Sequence, residues 1–278
     1  MSLFGRLLAS GLPMRLAGLA TPRAGRELRG LRYAGHGRAK LDLVLPKRAT
    51  PATPLVVFFH GGSWQVGSRR HYGFLARSLA QEGVAVALPD YRLWPQGRWP
   101  DFLHDGAAAI AWLRGEAARD AGVPQGPLFV MGHSAGGFIA AAVALDPRWL
   151  AAAGCARDVL AGGVLVSAPI AWQPDDEPVR SIFAAAPGGM IQAMPDPAML
   201  AGAPPLLLVH GTADTVVGPF HSERLAAAMA RAGREVRLVM VPGAGHIAPM
   251  LSFAAPARHF GPGAGAAWHA ALDFLRRG

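Results

Sequence analysis

Six short apolar runs recur along the chain: Leu55–Phe59, Val84–Leu88, Leu128–Met131, Val164–Val166, Leu206–Val209 and Val236–Val241. Each is continuous rather than alternating, apart from Arg237 in the last. That is the pattern of a strand buried on both faces of a parallel sheet. Amphipathic stretches separate them. Tyr72–Gln81 carries Phe74, Leu75 and Leu79 on one face, and Asp101–Arg119 carries Phe102, Ile110, Trp112 and Leu113. Ala135–Leu145, Pro219–Ala232 and Ala264–Arg276 complete the helical series. Strands that alternate with helices imply βαβ units. The expected class is therefore α/β, a mostly parallel central sheet with helices on both faces. Arg29–Tyr33 and Leu41–Leu45 precede the first crossover and are expected to form an antiparallel edge.

No Pro/Gly/Ser linker divides the 278 residues, of which 51% are hydrophobic and 16% charged, so a sizeable core is expected over one domain, 28–278. Its one irregular insertion, Ile170–Pro204, leaves the sheet edge where ligands bind in open α/β folds and reads as a small lid. Residues 1–27 read as an N-terminal helix, with Leu3, Phe4, Leu7, Leu8 and Leu12 at helical spacing and no acid before Glu27. Pro13 and Arg15 interrupt that stripe and argue against a signal peptide, which leaves targeting, a membrane surface or packing.

The net charge of +9 comes almost wholly from scattered arginines. A solvated surface explains them, and no nucleic-acid partner is expected. No apolar run is long enough to span a membrane. Cys155 is the only cysteine, which fits a reducing, cytoplasmic setting. Self-association is left open.

The chemistry is concentrated in a few short segments. Gly132-His133-Ser134-Ala135-Gly136 has the form Gly-x-Ser-x-Gly and joins strand Leu128–Met131 to helix Ala135–Leu145. On so tight a turn no Cβ fits at the two glycines, and the Ser134 hydroxyl projects above the sheet. The helix N-terminus then aims free N–H groups at any charge that develops there. A serine needs a base. Of the ten histidines, His246 alone lies in the last loop at a strand's C-terminal end, after Pro242-Gly243-Ala244-Gly245. Asp214 follows strand Leu206–Val209 through His210-Gly211-Thr212-Ala213 and is the acid expected to orient His246. The alternative for Asp214 is a turn-forming aspartate ahead of Pro219. His210 is expected to bond locally.

His60-Gly61-Gly62-Ser63-Trp64 leaves strand Leu55–Phe59, and its glycines let backbone N–H groups face a ligand. The oxyanion-hole candidates are the amides of Gly61, Gly62, Ser63 and Ala135, with His60 bracing the loop. Trp64 and His133 are the candidate substrate contacts, although the residue before such a serine points away from it. No metal or organic cofactor is implied.

These segments, with Asp90-Tyr91-Arg92-Leu93, resemble the carboxylesterase/lipase branch of the α/β-hydrolase fold. The similarity runs from about Gly30 to the C-terminus and is nearest to small-cap esterases of the feruloyl-esterase-like and kynurenine-formamidase-like group. Ser63 stands where hormone-sensitive-lipase-like esterases carry a third glycine. The resemblance implies a serine hydrolase that cleaves small-molecule esters of short acyl chain through Ser134, His246 and Asp214. The alternatives are an arylformamidase or small-peptide hydrolase with the same triad, or a catalytically silent ligand-binding protein on this fold.

Overall fold

Strand Leu55–Phe59 sits near the middle of an eight-stranded sheet. The computed structural model describes residues 17–18, 21–193, 197–255, 257–260 and 263–277, so the Leu3–Leu12 stripe lies outside the described residues. The strands are β1 (Glu27–Arg32), β2 (Lys40–Val44), β3 (Leu55–Phe59), β4 (Ala85–Pro89), β5 (Leu128–His133), β6 (Gly162–Val166), β7 (Ala171–Trp172), β8 (Ile191–Gln192), β9 (Leu206–Gly211) and β10 (Val236–Val241). The sheet order is β1-β2-β4-β3-β5-β6-β9-β10. β2 is antiparallel to both of its neighbours, which makes the expected edge, and the remaining pairs are parallel.

The helices are α1 (Gly73–Gln81), α2 (Asp101–Arg114), α3 (Glu116–Asp120), α4 (Ala135–Leu145), α5 (Pro147–Ala152), α6 (Val179–Ile182), α7 (Phe220–Arg231), α8 (Ala248–Leu251) and α9 (Ala266–Leu275). Strand side chains alternate between two cores, as the pleat requires. Leu55, Val57 and Phe59 of β3 pack with Phe102 and Ile110 of α2 and Phe138 of α4. Val56 and Phe58 face the other way, with Leu75 and Leu79 of α1 and Trp268 of α9. Every residue of α4 is buried, which explains a helix with no polar side chain past its first turn.

One helix boundary differs from expectation. Asp101–Arg119 is not one helix, because Gly115 adopts an extended conformation (φ −76°, ψ 171°) between α2 and α3. Glycine holds a helix weakly, and a single extended residue there re-aims the chain.

Parallel register brings the functional loops together. Phe59 of β3 pairs with Gly132 of β5, His133 with Val166 of β6, and Gly211 of β9 with Val241 of β10. The C-terminal ends of β3, β5, β9 and β10 therefore share one edge of the sheet. The His60–Trp64 loop, Ser134, Asp214 and His246 all leave from that edge.

The insertion at 170–204 contains β7, α6 and β8, with β7 and β8 paired as a separate antiparallel ribbon. It is plugged into the core. Ile182 and Phe183 are fully buried. The Phe183 ring packs 4.8 Å from Trp64, 5.6 Å from Phe102 and 5.7 Å from Phe138, centroid to centroid. Burying two such side chains contributes roughly 1.5–3 kcal/mol each. The Trp99 N–H also donates to the Ile182 carbonyl at 2.9 Å.

Candidate active site

Ser134 lies between β5 and α4 with φ 55° and ψ −123°, a conformation that non-glycine residues rarely adopt. Two backbone bonds hold it there. Its N–H donates to the Val166 carbonyl, and its carbonyl accepts from the Phe138 N–H, both at 3.0 Å. The flanking glycines are sterically required. A Cβ on Gly132 would overlap the Gly136 backbone, and one on Gly136 would overlap the carbonyls of Phe59 and His60. Ala135 opens α4, so its N–H has no partner within the helix.

His246 and Asp214 meet at 2.8 Å, Nδ1 to Oδ2. The carboxylate is the acceptor, so Nδ1 carries the proton and Nε2 keeps its lone pair. The other carboxylate oxygen, Oδ1, accepts from the N–H groups of Val216 and Val217, each at 2.9 Å. Burial alone would raise the Asp214 carboxyl, but the bonds from His210, His246 and the Val217 N–H hold it well below the usual carboxylate range.

His133 does not contact the cleft. Its ring is buried, 4.9 Å from that of His246, and Nε2–H donates to the His246 carbonyl at 3.1 Å. On its other side Nδ1 faces the Tyr72 hydroxyl at 3.4 Å, and that hydroxyl accepts from the Gly61 N–H at 3.3 Å. In place of the substrate contact expected of His133, the ring ties the Gly61 loop, through Tyr72, to the loop that carries His246. The side chain before the serine points into the protein because the elbow turns the serine outward.

The loop after β3, the candidate oxyanion loop, is wound left-handed at three successive residues: Gly62 (φ 128°), Ser63 (φ 50°) and Trp64 (φ 57°). The Gly62 carbonyl closes the turn by accepting from the N–H groups of Gln65 and Val66, each at 3.0 Å. Ser63, Trp64, Ser134 and Ala135 line the cleft; Gly61 and Gly62 are not among its walls. Beneath the loop, His60 stacks on Tyr91 with centroids 4.3 Å apart, and the Tyr91 hydroxyl donates to the His60 carbonyl at 2.7 Å. Asp90 sits beside them. It accepts from the Arg69 N–H at 2.7 Å and pairs with the Arg69 guanidinium, which also reaches Asp42 at 2.8 Å. Burial would raise the Asp90 carboxyl; His60, the Arg69 amide and Arg38 bring it well below the usual range. His60 is thus packed and hydrogen-bonded beneath the loop it opens. Tyr72, Arg69 and Arg38 had no sequence signal beyond their nearness to the motifs.

The cleft measures about 310 Å³, at the small end for a ligand site. Trp64, Trp172, Val179, Val216 and Val217 form apolar walls, and Asp175 and Asp176 of the insertion also line it. Among the described residues, no group of three His, Cys, Asp or Glu side chains could hold a metal ion.

Two buried histidines set a pH dependence of stability. Burial lowers His133 to about 3 and His221 to about 4, from an ordinary value of 6.5. Both bind protons better when the chain is unfolded, so their contribution is complete above pH 6.5 and is lost as pH falls towards those values. Each is worth about 1.4 kcal/mol per pH unit inside its window. Urea unfolding between pH 7 and pH 4.5 is expected to show stability falling with pH. His221→Phe is expected to flatten the slope, and an unchanged slope would remove His221 from the account.

Residues 56–186 match a protein family described as alpha/beta hydrolase fold, and residues 183–259 match the prolyl oligopeptidase family. The apo form of Thermogutta terrifontis esterase 2 superposes with a TM-score of 0.68 at 26% identity, covering 92% of this chain and 94% of that one. This chain has the α/β-hydrolase fold. Relatives in sequence include the probable isoprenylcysteine alpha-carbonyl methylesterase ICME of Oryza sativa subsp. japonica, 29% identical over 79% of this chain and 58% of the relative. Esterase LipC of Mycobacterium tuberculosis is 30% identical over 71% of this chain and 53% of the relative. The chain thus spans little more than half the length of these two relatives. No helix among the described residues is long and apolar enough to cross a membrane.

Proposed function

We propose that the protein is a serine hydrolase of short-chain carboxylic esters. One observation carries the reading: the 2.8 Å His246–Asp214 bond lies at the same sheet edge as a serine held at φ 55° on a strand-to-helix turn. The named esterases among its relatives support the substrate class. In this reading His246 Nε2 takes the Ser134 proton while the oxygen attacks the ester carbonyl. The tetrahedral oxyanion is held by the N–H of Ala135, at the start of α4, and by that of Ser63, both residues of the cleft wall. Each is worth roughly 3 kcal/mol of barrier. His246 then protonates the departing alcohol, and water releases the acid from Ser134 by the reverse sequence. The insertion acts as a fixed roof that sets substrate size. Cys155 as the only thiol supports a cytoplasmic setting.

A serine-directed phosphonate is expected to abolish turnover of p-nitrophenyl acetate and leave a single adduct on Ser134, whereas EDTA leaves turnover intact. Loss of activity to EDTA, restored by a divalent metal, would replace the triad with metal-assisted hydrolysis. Preferred turnover of an aryl formamide would move the substrate class to amides.

Acyl length gives a second test. Each methylene buried in an apolar trough adds about 0.8 kcal/mol of binding. A cleft of about 310 Å³, roofed by an insertion pinned through Phe183, has little room for a long trough. kcat/KM is expected to peak at about two to six acyl carbons and to fall sharply by about twelve. A profile that rises steadily with length would make the protein a lipase.

A further inference from the structure

Asp214 has a second histidine. His210, at the end of β9, is fully buried, and its Nε2 lies 3.3 Å from Asp214 Oδ2, the same oxygen that holds His246. Nε2 also lies 2.9 Å from the Val217 carbonyl. Both neighbours of Nε2 are acceptors, so Nε2 carries a proton and shares it between them. Nδ1 is left to accept from the Ser222 hydroxyl of α7, at 2.7 Å. The ring is thus fixed at three points. The Val217 N–H, in turn, donates to Asp214 Oδ1. His210 and Val217 together close a small buried ring of bonds around the carboxylate.

We propose that His210 is the positioning residue of Asp214: it orients the carboxylate and draws off part of its charge, so setting how strongly Asp214 holds the His246 proton. This rests on the triad reading above. The argument is electrostatic. A carboxylate oxygen that serves two donors carries less charge for either one. Without His210, Oδ2 serves His246 alone, and the imidazolium form of His246 gains stability. The surrounding charged and titratable groups come from four directions. His246 stands on the β10 loop, His133 on β5, His221 and Arg224 on α7, and Asp175 and Asp176 across the cleft. None of them occupies the position of His210 against Oδ2.

The test compares His210→Leu, which removes the donor, with His210→Gln, whose amide N–H can still reach both acceptors. Two readouts are taken on the full chain. The first is the pH dependence of kcat/KM for p-nitrophenyl acetate. Its acid limb follows uptake of a proton by His246. In His210→Leu that limb is expected to move to higher pH by about half a unit to one unit, with kcat roughly tenfold lower and KM little changed. In His210→Gln both are expected to return most of the way to wild type.

The second readout needs no substrate. It is the far-downfield proton resonance of the His246 Nδ1–H, assigned by its loss in Asp214→Asn and followed with pH. Its midpoint is expected to move upward with the acid limb in His210→Leu. If wild type turns over no ester yet this midpoint shifts, the esterase reading fails and the role of His210 stands. If His210→Leu folds and both readouts match wild type, His210 is only packing. Should that variant fail to fold, Ser222→Ala loosens the same ring from Nδ1. A shift of the same sign supports the proposal, and an unchanged midpoint overturns it.

Discussion

Ser134→Ala is expected to lower kcat for p-nitrophenyl acetate by about 10⁴-fold or more while leaving the melting temperature close to wild type. The substitution deletes one oxygen from a half-buried turn. Both bonds that hold the residue at φ 55° are made by its backbone, to Val166 and from Phe138, so they survive. The conformational cost of that φ is common to serine and alanine, since each carries a Cβ. The loss should therefore fall on the chemical step alone. Residual turnover above about a tenth of wild type would place the nucleophile elsewhere, because covalent catalysis has no second hydroxyl on this elbow.

Asp214→Asn is expected to cost roughly 10⁴-fold in kcat, and the geometry gives the reason. The N–H groups of Val216 and Val217 both point at Oδ1. An asparagine must turn its carbonyl oxygen to those two donors, which places its NH₂ against His246 Nδ1. That group can only donate. His246 then adopts the tautomer with its proton on Nε2 and cannot accept one from Ser134. The same NH₂ faces His210 Nε2–H, donor against donor, so stability should fall as well, by about 1–3 kcal/mol. Kinetics and urea unfolding of the variant check both effects. Equal activity in Asp214→Asn would transfer the acid role to another carboxylate, and Asp175, Asp176 and Glu177 of the insertion would be substituted next.

Much of this arrangement is legible before any folding is considered. The parallel sheet follows from short, continuous apolar runs of strand length, and α4 begins at Ala135, directly after the elbow serine. Gly132 and Gly136 are needed where backbones approach too closely for a Cβ. The order Ser134, Asp214, His246 follows from which strand ends precede them. These are local facts, carried by neighbours in the chain.

Other features are not local. Gly115 breaks the Asp101–Arg119 stretch although the apolar pattern runs through it, because one extended residue leaves little trace in a periodicity. His133 looks like a substrate contact by its place beside Ser134. Its partner is the His246 carbonyl, 113 positions away, and only the register of β5 against the sheet brings the two together. His210 meets Asp214 and Ser222, four and twelve positions on, only because the chain after β9 turns back against it. Phe183 reads as one more apolar residue in an irregular insertion until Trp64, Phe102 and Phe138 close around it. Periodicity and turn chemistry act over a few residues and are written in the order of the chain. Which buried donor meets which acceptor depends on strand register and on the faces that helices present, and those are settled when distant segments pack.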